Sequence, residues 1–201
     1  MSGPRKRVRE DPKVRRSQIV DEAIRIIGEY GYYGFTVQAL AERCQLSNAG
    51  LLHYFGNKDD LLLALLDEIE RREEEVLAPQ VAMIEEKGFQ SGNGKGAALE
   101  MMAAIARRTA ENRERTRFLA VLQGEAMEPS HPAHDWFGLR DDETVQLFTS
   151  LLGREAANSP ALTRYMISIL RGMTGLWLRD ENEFDLVEEC LAATRLLLND
   201  A

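Results

Sequence analysis

Between residues 47 and 58 the chain reads SNAGLLHYFGNK, a stretch of hydroxyl, amide and ring side chains with little charge. Laid on a short helix, each of these groups has a use against a polyanion. Ser47 caps the helix, and Asn48 can bond a base edge or a phosphate oxygen. Gly50 costs about 1 kcal/mol of helix propensity, but it removes a side chain and lets backbone come close to a partner. His53 and Tyr54 reach phosphates, sugars or base edges, and the free N–H groups of a helix start bind phosphate oxygens. Thr36 and Lys58 sit at the two ends of the unit, where clamps on a phosphate backbone are wanted. This is the chemistry of gripping a nucleic-acid duplex.

Catalytic sets do not stand out. With three histidines in the chain, no Ser/His/Asp, Cys/His, phosphate-loop or paired-carboxylate arrangement can be assembled, so neither enzyme activity nor a cofactor is expected. His131-Pro-Ala-His134-Asp135 places two histidines at i, i+3 beside an acid, as some metal sites do. A helix capped by Ser130 with Pro132 in its first turn accounts for the same residues, and no metal is expected. Cys44 and Cys190 are the two cysteines; they read as reduced thiols of a cytoplasmic protein, Cys44 as an inert one on an inner helix face. The N-terminus lacks the apolar stretch of a secretory signal, and no apolar run reaches the roughly 18 residues of a membrane span.

The elements that must position the candidate residues read as helices nearly throughout. Ile19, Ala23, Ile26, Ile27 and Tyr30 recur at helical spacing and predict a helix over 13–30, started by Asp11-Pro12 and stopped by Gly31. Thr36 caps a short second helix over 37–44, lined by Val37, Leu40, Ala41 and Cys44. Gln45-Leu46 links it to a third helix over 48–54, buried through Leu51 and Phe55. Two short helices joined by a tight turn form a helix-turn-helix, whose second member enters the major groove. Asn57 caps a long fourth helix with Asp59 and Asp60 in its first turn, where the dipole favours acids. GFQSGNGKG at 88–96 reads as a flexible loop. Helical patterns follow at 97–112, 114–127, 131–156, 160–180 (capped by Ser159, with Pro160 at its first position) and 185–199. The expected fold is all-α: a basic flexible arm over 1–12, a helix-turn-helix domain over 13–60 and a larger helical body over 61–201.

Charge follows the same division. The net charge is −8, yet residues 1–60 hold ten Lys/Arg against eight Asp/Glu, and the rest fifteen against twenty-five. The basic excess lies where phosphates are to be approached.

From about 15 to 66, the run RRSQIVDEAIRIIGEYGYYGFTVQALAERCQLSNAGLLHYFGNKDDLLLALL resembles the DNA-binding domain of the TetR family of bacterial transcriptional regulators. The resemblance rests on glycine and aromatics before the Thr36 cap, the linking QLS, LLHYF and NKDDLL. It implies DNA contact by Thr36, Ser47, Asn48, Ala49, Gly50, His53, Tyr54 and Lys58. Family members often carry Thr or Ser where this chain has Gly50, and Tyr where it has Leu52, so a hydroxyl contact is missing at each place. DNA shape then carries part of the preference. Arg5, Lys6, Arg7 and Arg9 would add phosphate or minor-groove contacts, as arms do.

The last two helices are apolar on wide arcs. Tyr165, Ile169, Met173 and Leu176 belong to one row, with Gly172 and Gly175 permitting close approach; Val187, Leu191, Thr194 and Leu198 form the other. A helix with so wide an apolar arc packs against two things. The resemblance implies that these helices pair with their copies in a homodimer, giving two reading heads and a palindromic double-stranded DNA operator. It also implies a pocket for a small-molecule effector, with Met101, Met102, Ile105, Phe118, Leu122, Met127, Trp136, Phe137, Phe148 and Trp177 as lining candidates and Arg117, Gln123, His131, His134 and Arg171 as polar ones. The expected protein is a cytoplasmic repressor released from its operator by that effector, without a membrane partner.

Overall fold

The computed structural model describes residues 12–153, 160–179 and 184–199. Among them the fold is all-α, without a strand: α1 (Pro12–Gly34), α2 (Val37–Arg43), α3 (Asn48–Phe55), α4 (Lys58–Ser91), α5 (Gly94–Glu111), α6 (Arg113–Glu125), α7 (His134–Leu152), α8 (Pro160–Arg179) and α9 (Leu186–Asn199). The basic residues of the expected arm and the Ser159 cap lie outside the described residues. No described helix is long and apolar enough to cross a membrane.

Two cores share these helices. The first gathers Ile19, Ile26 and Ile27 of α1, Leu40 of α2, Leu51 and Phe55 of α3 and Leu61, Leu62, Leu65, Leu66 and Ile69 of α4, and closes on Phe118 and Leu122 of α6 and Phe137 of α7. The second lies between the far end of α4 and α5, α7, α8 and α9, around Ala98, Met101, Met102, Phe148, Leu162, Met166 and Cys190. α4, at 34 residues and so about 50 Å long, runs through both. Its start is fixed as the sequence predicts: the Asn57 side chain accepts the Asp60 N–H at 2.9 Å.

Gly31 ends the regular part of α1. Its φ of 73° and ψ of 173° lie in a region open essentially to glycine alone. The chain after the kink carries Tyr32, and Phe35 just past the helix end, 5% and 1% exposed, into the first core.

Two expectations are corrected. The segment 88–96 is not a flexible loop, because α4 continues to Ser91 and α5 starts at Gly94. Two of its glycines serve close packing, a Cβ on Gly88 lying 2.7 Å from that of Ala97 and one on Gly94 equally close to the Leu151 carbonyl oxygen, while Gly92 makes the left-handed C-cap of α4. The helix expected from residue 131 begins at His134, with no side-chain cap from Ser130. Residues 128–134 wind instead through successive turns, Glu128 N–H to Glu125, His131 N–H to Glu128 and His134 N–H to His131.

Candidate nucleic-acid interface and the joint behind it

α2 and α3 are held by their caps and anchors. Thr36 Oγ1 accepts the Ala39 N–H at 3.1 Å, and Ser47 Oγ accepts the Gly50 N–H at 3.0 Å. The turn between them places Gln45 at φ 54° and closes with Leu46 N–H on the Ala41 carbonyl at 2.8 Å. Leu51 and Phe55 seat α3 on the first core, 0% and 6% exposed. That seating leaves Ser47, Asn48, Ala49 and His53 exposed on α3, with Thr36 exposed beside them at the head of α2; Gly50 and Tyr54 are half-buried, and Tyr54 packs against the core.

Lys58 takes a different posture. Its ammonium lies 4.3 Å from the Tyr32 ring centroid and 5.3 Å from that of Phe35, and desolvation lowers its pKa against the pull of Asp59 and Glu125. It is half-buried against aromatic faces rather than extended into solvent.

Sequence reasoning assigned no individual role to Arg15 and Arg16. Arg15 Nη2 donates to the Cys44 carbonyl at 2.6 Å, at the C-terminal end of α2. Arg16 Nη1 donates to the Tyr54 carbonyl at 3.4 Å, with its guanidinium 4.6 Å from the Phe55 ring centroid. Each places a cation at a helix C-terminus, where the dipole favours it. In the sequence they show only as a basic run, because their partners lie 29 and 38 residues away.

Behind the interface, the kink of α1 locks onto the end of α6. The Tyr32 N–H donates to Glu125 Oε2 at 2.7 Å, and a Cβ on Gly31 would collide with the same carboxylate. The Tyr32 hydroxyl donates to Asp59 in the first turn of α4, and burial followed by that bond raises its pKa. His131 sits under this knot, 2% exposed. Its Nδ1 accepts the Ala133 N–H at 3.1 Å, so the neutral ring carries its proton on Nε2, which has no hydrogen-bond partner. Tyr32 and Tyr33 stand edge-on to it at 5.0 and 5.6 Å. His134 instead bonds the Ala126 carbonyl at 2.8 Å. Among the described residues, no three His, Cys, Asp or Glu side chains are grouped to hold a metal.

The candidate effector lining does not come together. Phe118, Leu122, Phe137 and Trp136 belong to the first core, whereas Met101, Met102, Ile105, Phe148 and Trp177 belong to the second. Met127 is 78% exposed in the turn after α6, so it lines nothing; helical spacing places residues on a face but does not say which core that face meets. Of the polar candidates, Arg171 is engaged by Asp141 across α7 and α8.

The proposed dimer rows divide as well. Thr194 and Leu198 are 0% and 4% exposed, inside the second core, and Thr194 Oγ1 donates to the Cys190 carbonyl at 2.7 Å. They are corrected from interface to interior, because α9 turns the 186-190-194-198 stripe inward. Tyr165 and Leu176 are 55% and 50% exposed, Ile169, Met173, Val187 and Leu191 are half-buried, and a Cβ on Gly172 or Gly175 would meet nothing within 4 Å. Leu196, which the sequence pattern did not single out, is 69% exposed.

Comparison with known proteins places this geometry. Residues 19–65 match the profile of the bacterial regulatory proteins of the tetR family. The HTH-type transcriptional regulators BetI of Burkholderia thailandensis and Burkholderia cenocepacia are each 39% identical over 59 residues, which is 29% of this chain and 30% of theirs. The chain thus matches less than a third of the length of these curated relatives. Solved structures extend the likeness to nearly the whole chain. The TetR-family regulator PfmR of Thermus thermophilus is 26% identical, covering 90% of this chain and 97% of its own, with a TM-score of 0.65. AibR, solved with isovaleryl coenzyme A and operator DNA, shares the fold at 17% identity over 90% of this chain and 97% of its own, with a TM-score of 0.72. The profile thus places a tetR-family DNA-binding domain on the helix-turn-helix at residues 19–65, and the chain as a whole resembles the TetR-family regulator PfmR.

Proposed function

We propose that the protein is a homodimeric, sequence-specific DNA-binding regulator that represses transcription from a palindromic operator and leaves it when a small-molecule effector binds. The observation that carries this reading is the posture of α3. Two apolar anchors seat it, and Ser47, Asn48, Ala49 and His53 face outward beside the α2 start at Thr36. Gly50 and Tyr54 flank that surface, and Lys58 reaches a phosphate once it leaves the Tyr32 ring. The relatives support the same reading: AibR was solved with operator DNA and an acyl coenzyme A, and FadR of Bacillus subtilis with stearoyl-CoA. The residues proposed for DNA contact belong to 13–60 as the reading domain, with 61–201 as the effector and dimerisation body of a cytoplasmic protein.

The partner surface is the outer face of α8 and α9. Tyr165, Ile169, Met173 and Leu176 on α8 and Val187, Leu191 and Leu196 on α9 offer apolar area to a twofold copy, and Gly172 and Gly175 let backbones approach. Fluorescence anisotropy with duplexes tiled across the DNA flanking its own gene, at fixed moderate salt, tests the function, with light scattering reporting the assembly state. Selective, salt-dependent binding by a dimer is expected. A folded monomer, or a dimer that binds every duplex equally, overturns the reading.

A further inference from the structure

Away from the DNA face, a polar cleft of about 210 Å³ opens between α1, α4, α5 and α6, lined mostly by charged side chains. Its charges sort into a rim and a floor. On the rim, Arg25 pairs with Glu114 at 3.1 Å and Arg72 with Asp21 at 2.9 Å, so each rim pair is neutral; Glu22 and Glu68, which also touch these arginines, stand outside the lining. On the floor, one carboxylate serves two guanidinium groups. Glu73 accepts from Arg108 Nε and Nη2 at 3.2 and 2.9 Å and from Arg115 Nη1.

The floor is largely buried. Glu73 and Arg115 are 8% and 7% exposed. Arg115 Nη2 donates to the Arg108 carbonyl, while its Nε–H is buried without an acceptor. Arg108 has a second partner in Glu111 at 3.0 Å, but that side chain is 58% exposed, where solvent screens its charge. Glu73 is therefore the one buried carboxylate between two guanidinium groups, Arg115 buried and Arg108 21% exposed, an arrangement that further negative charge at the cleft would stabilise. The pKa of Arg115 is lowered, with desolvation as its largest cause, outweighing the pull of Glu73. The floor also carries the start of α6, where the Asn112 side chain accepts the Arg115 N–H at 3.0 Å and the helix dipole favours an anion.

We propose that this cleft binds a small oxyanion, a carboxylate or phosphate group, held against Arg108 and Arg115 at the start of α6. Guanidinium forks match the oxygen spacing of both groups, and the volume suits a small acid and not a long-chain ligand. The site stands apart from the regulator reading, because its occupancy is measured without DNA.

The test is thermal unfolding of the full-length protein titrated separately with sodium phosphate and sodium acetate, ionic strength held constant with sodium chloride. A saturating rise in Tm is expected from at least one oxyanion, about 5 °C at a hundredfold excess over Kd; which salt acts identifies phosphate or carboxylate as the preferred group. Glu73→Gln removes the competing charge and is expected to tighten the apparent Kd several-fold, whereas Arg115→Met abolishes the saturating rise. Flat curves with both salts, meaning that water alone fills the cleft, overturn the proposal. So does an unchanged Kd in Glu73→Gln, which places the ion elsewhere and decides the matter even where Arg115→Met does not fold.

Discussion

The two cores are built from different side chains. Among the described residues, the first buries isoleucines, leucines, phenylalanines and Tyr32 beside alanines at 23, 41, 126 and 133, and contains no methionine. The second adds Met101, Met102 and Met166 to leucines such as Leu152 and Leu162 and to alanines at 97, 98, 104 and 106, with one buried phenylalanine, Phe148. Branched and aromatic side chains have few rotamers and fix their neighbours, whereas unbranched methionine fills irregular space and tolerates repacking. On the proposed function, α2 and α3 have to be held at one angle, and an effector-binding body gains from an interior able to rearrange. The contrast teaches that side-chain type can set two cores apart within a single helical architecture.

Substitutions can break or sharpen that contrast. The largest effect is expected for Phe118→Ala, which empties a fully buried site in the first core and should lower unfolding free energy by about 3–5 kcal/mol, read from urea denaturation. Gly31→Ala comes next. It strains a backbone of φ 73° and drives a methyl into Glu125, for a loss of about 1–3 kcal/mol, and amide exchange at Tyr32 should accelerate with it. Ser47→Ala removes the cap of α3 and should cost about 1 kcal/mol, with weaker operator binding and an unchanged dimer.

Acidification should touch the first core through His131. Burial lowers its pKa in the fold, outweighing the upward pull of Glu125 and Asp59, while the unfolded chain takes up a proton near pH 6.5. The unfolded state then binds more protons, so stability declines as pH falls from about 6.5 toward the folded pKa and levels off below it. His131→Gln should flatten that part of the pH–stability curve relative to the unaltered protein. The smallest effect is expected for Met102→Leu in the second core, below about 1.5 kcal/mol by the same denaturation. A Met102→Leu loss equal to that of Phe118→Ala would erase the contrast.

Much of the reading head was legible because its signals are local. Thr36, Ser47 and Asn57 are cap residues that bond the N–H three positions on, and the Leu51 and Phe55 spacing marks an inward face. The glycines between 88 and 96 misled because a glycine that relieves a helix crossing looks, in sequence, like one that frees a turn; only Ala97 and the Leu151 carbonyl across the gap tell them apart. The candidate lining divides between two cores for a related reason. Phe118 and Met101 both sit on apolar helix faces, and nothing local reveals that one meets the first core and the other the second. The Glu73–Arg108–Arg115 set was invisible because its members are 35 and 42 residues apart and each reads alone as solvated surface.

Phe118, Leu122 and Phe137 complete the hydrophobic socket of α1 to α4, and that has a consequence for anyone wishing to transplant this protein's DNA preference. A fragment cut after residue 60 would leave Ile26, Ile27 and Phe35 without their covering layer. A chimera that exchanges heads between relatives has to carry α6 and the 126–137 turn along with the helix-turn-helix, or redesign both sides of the seam together.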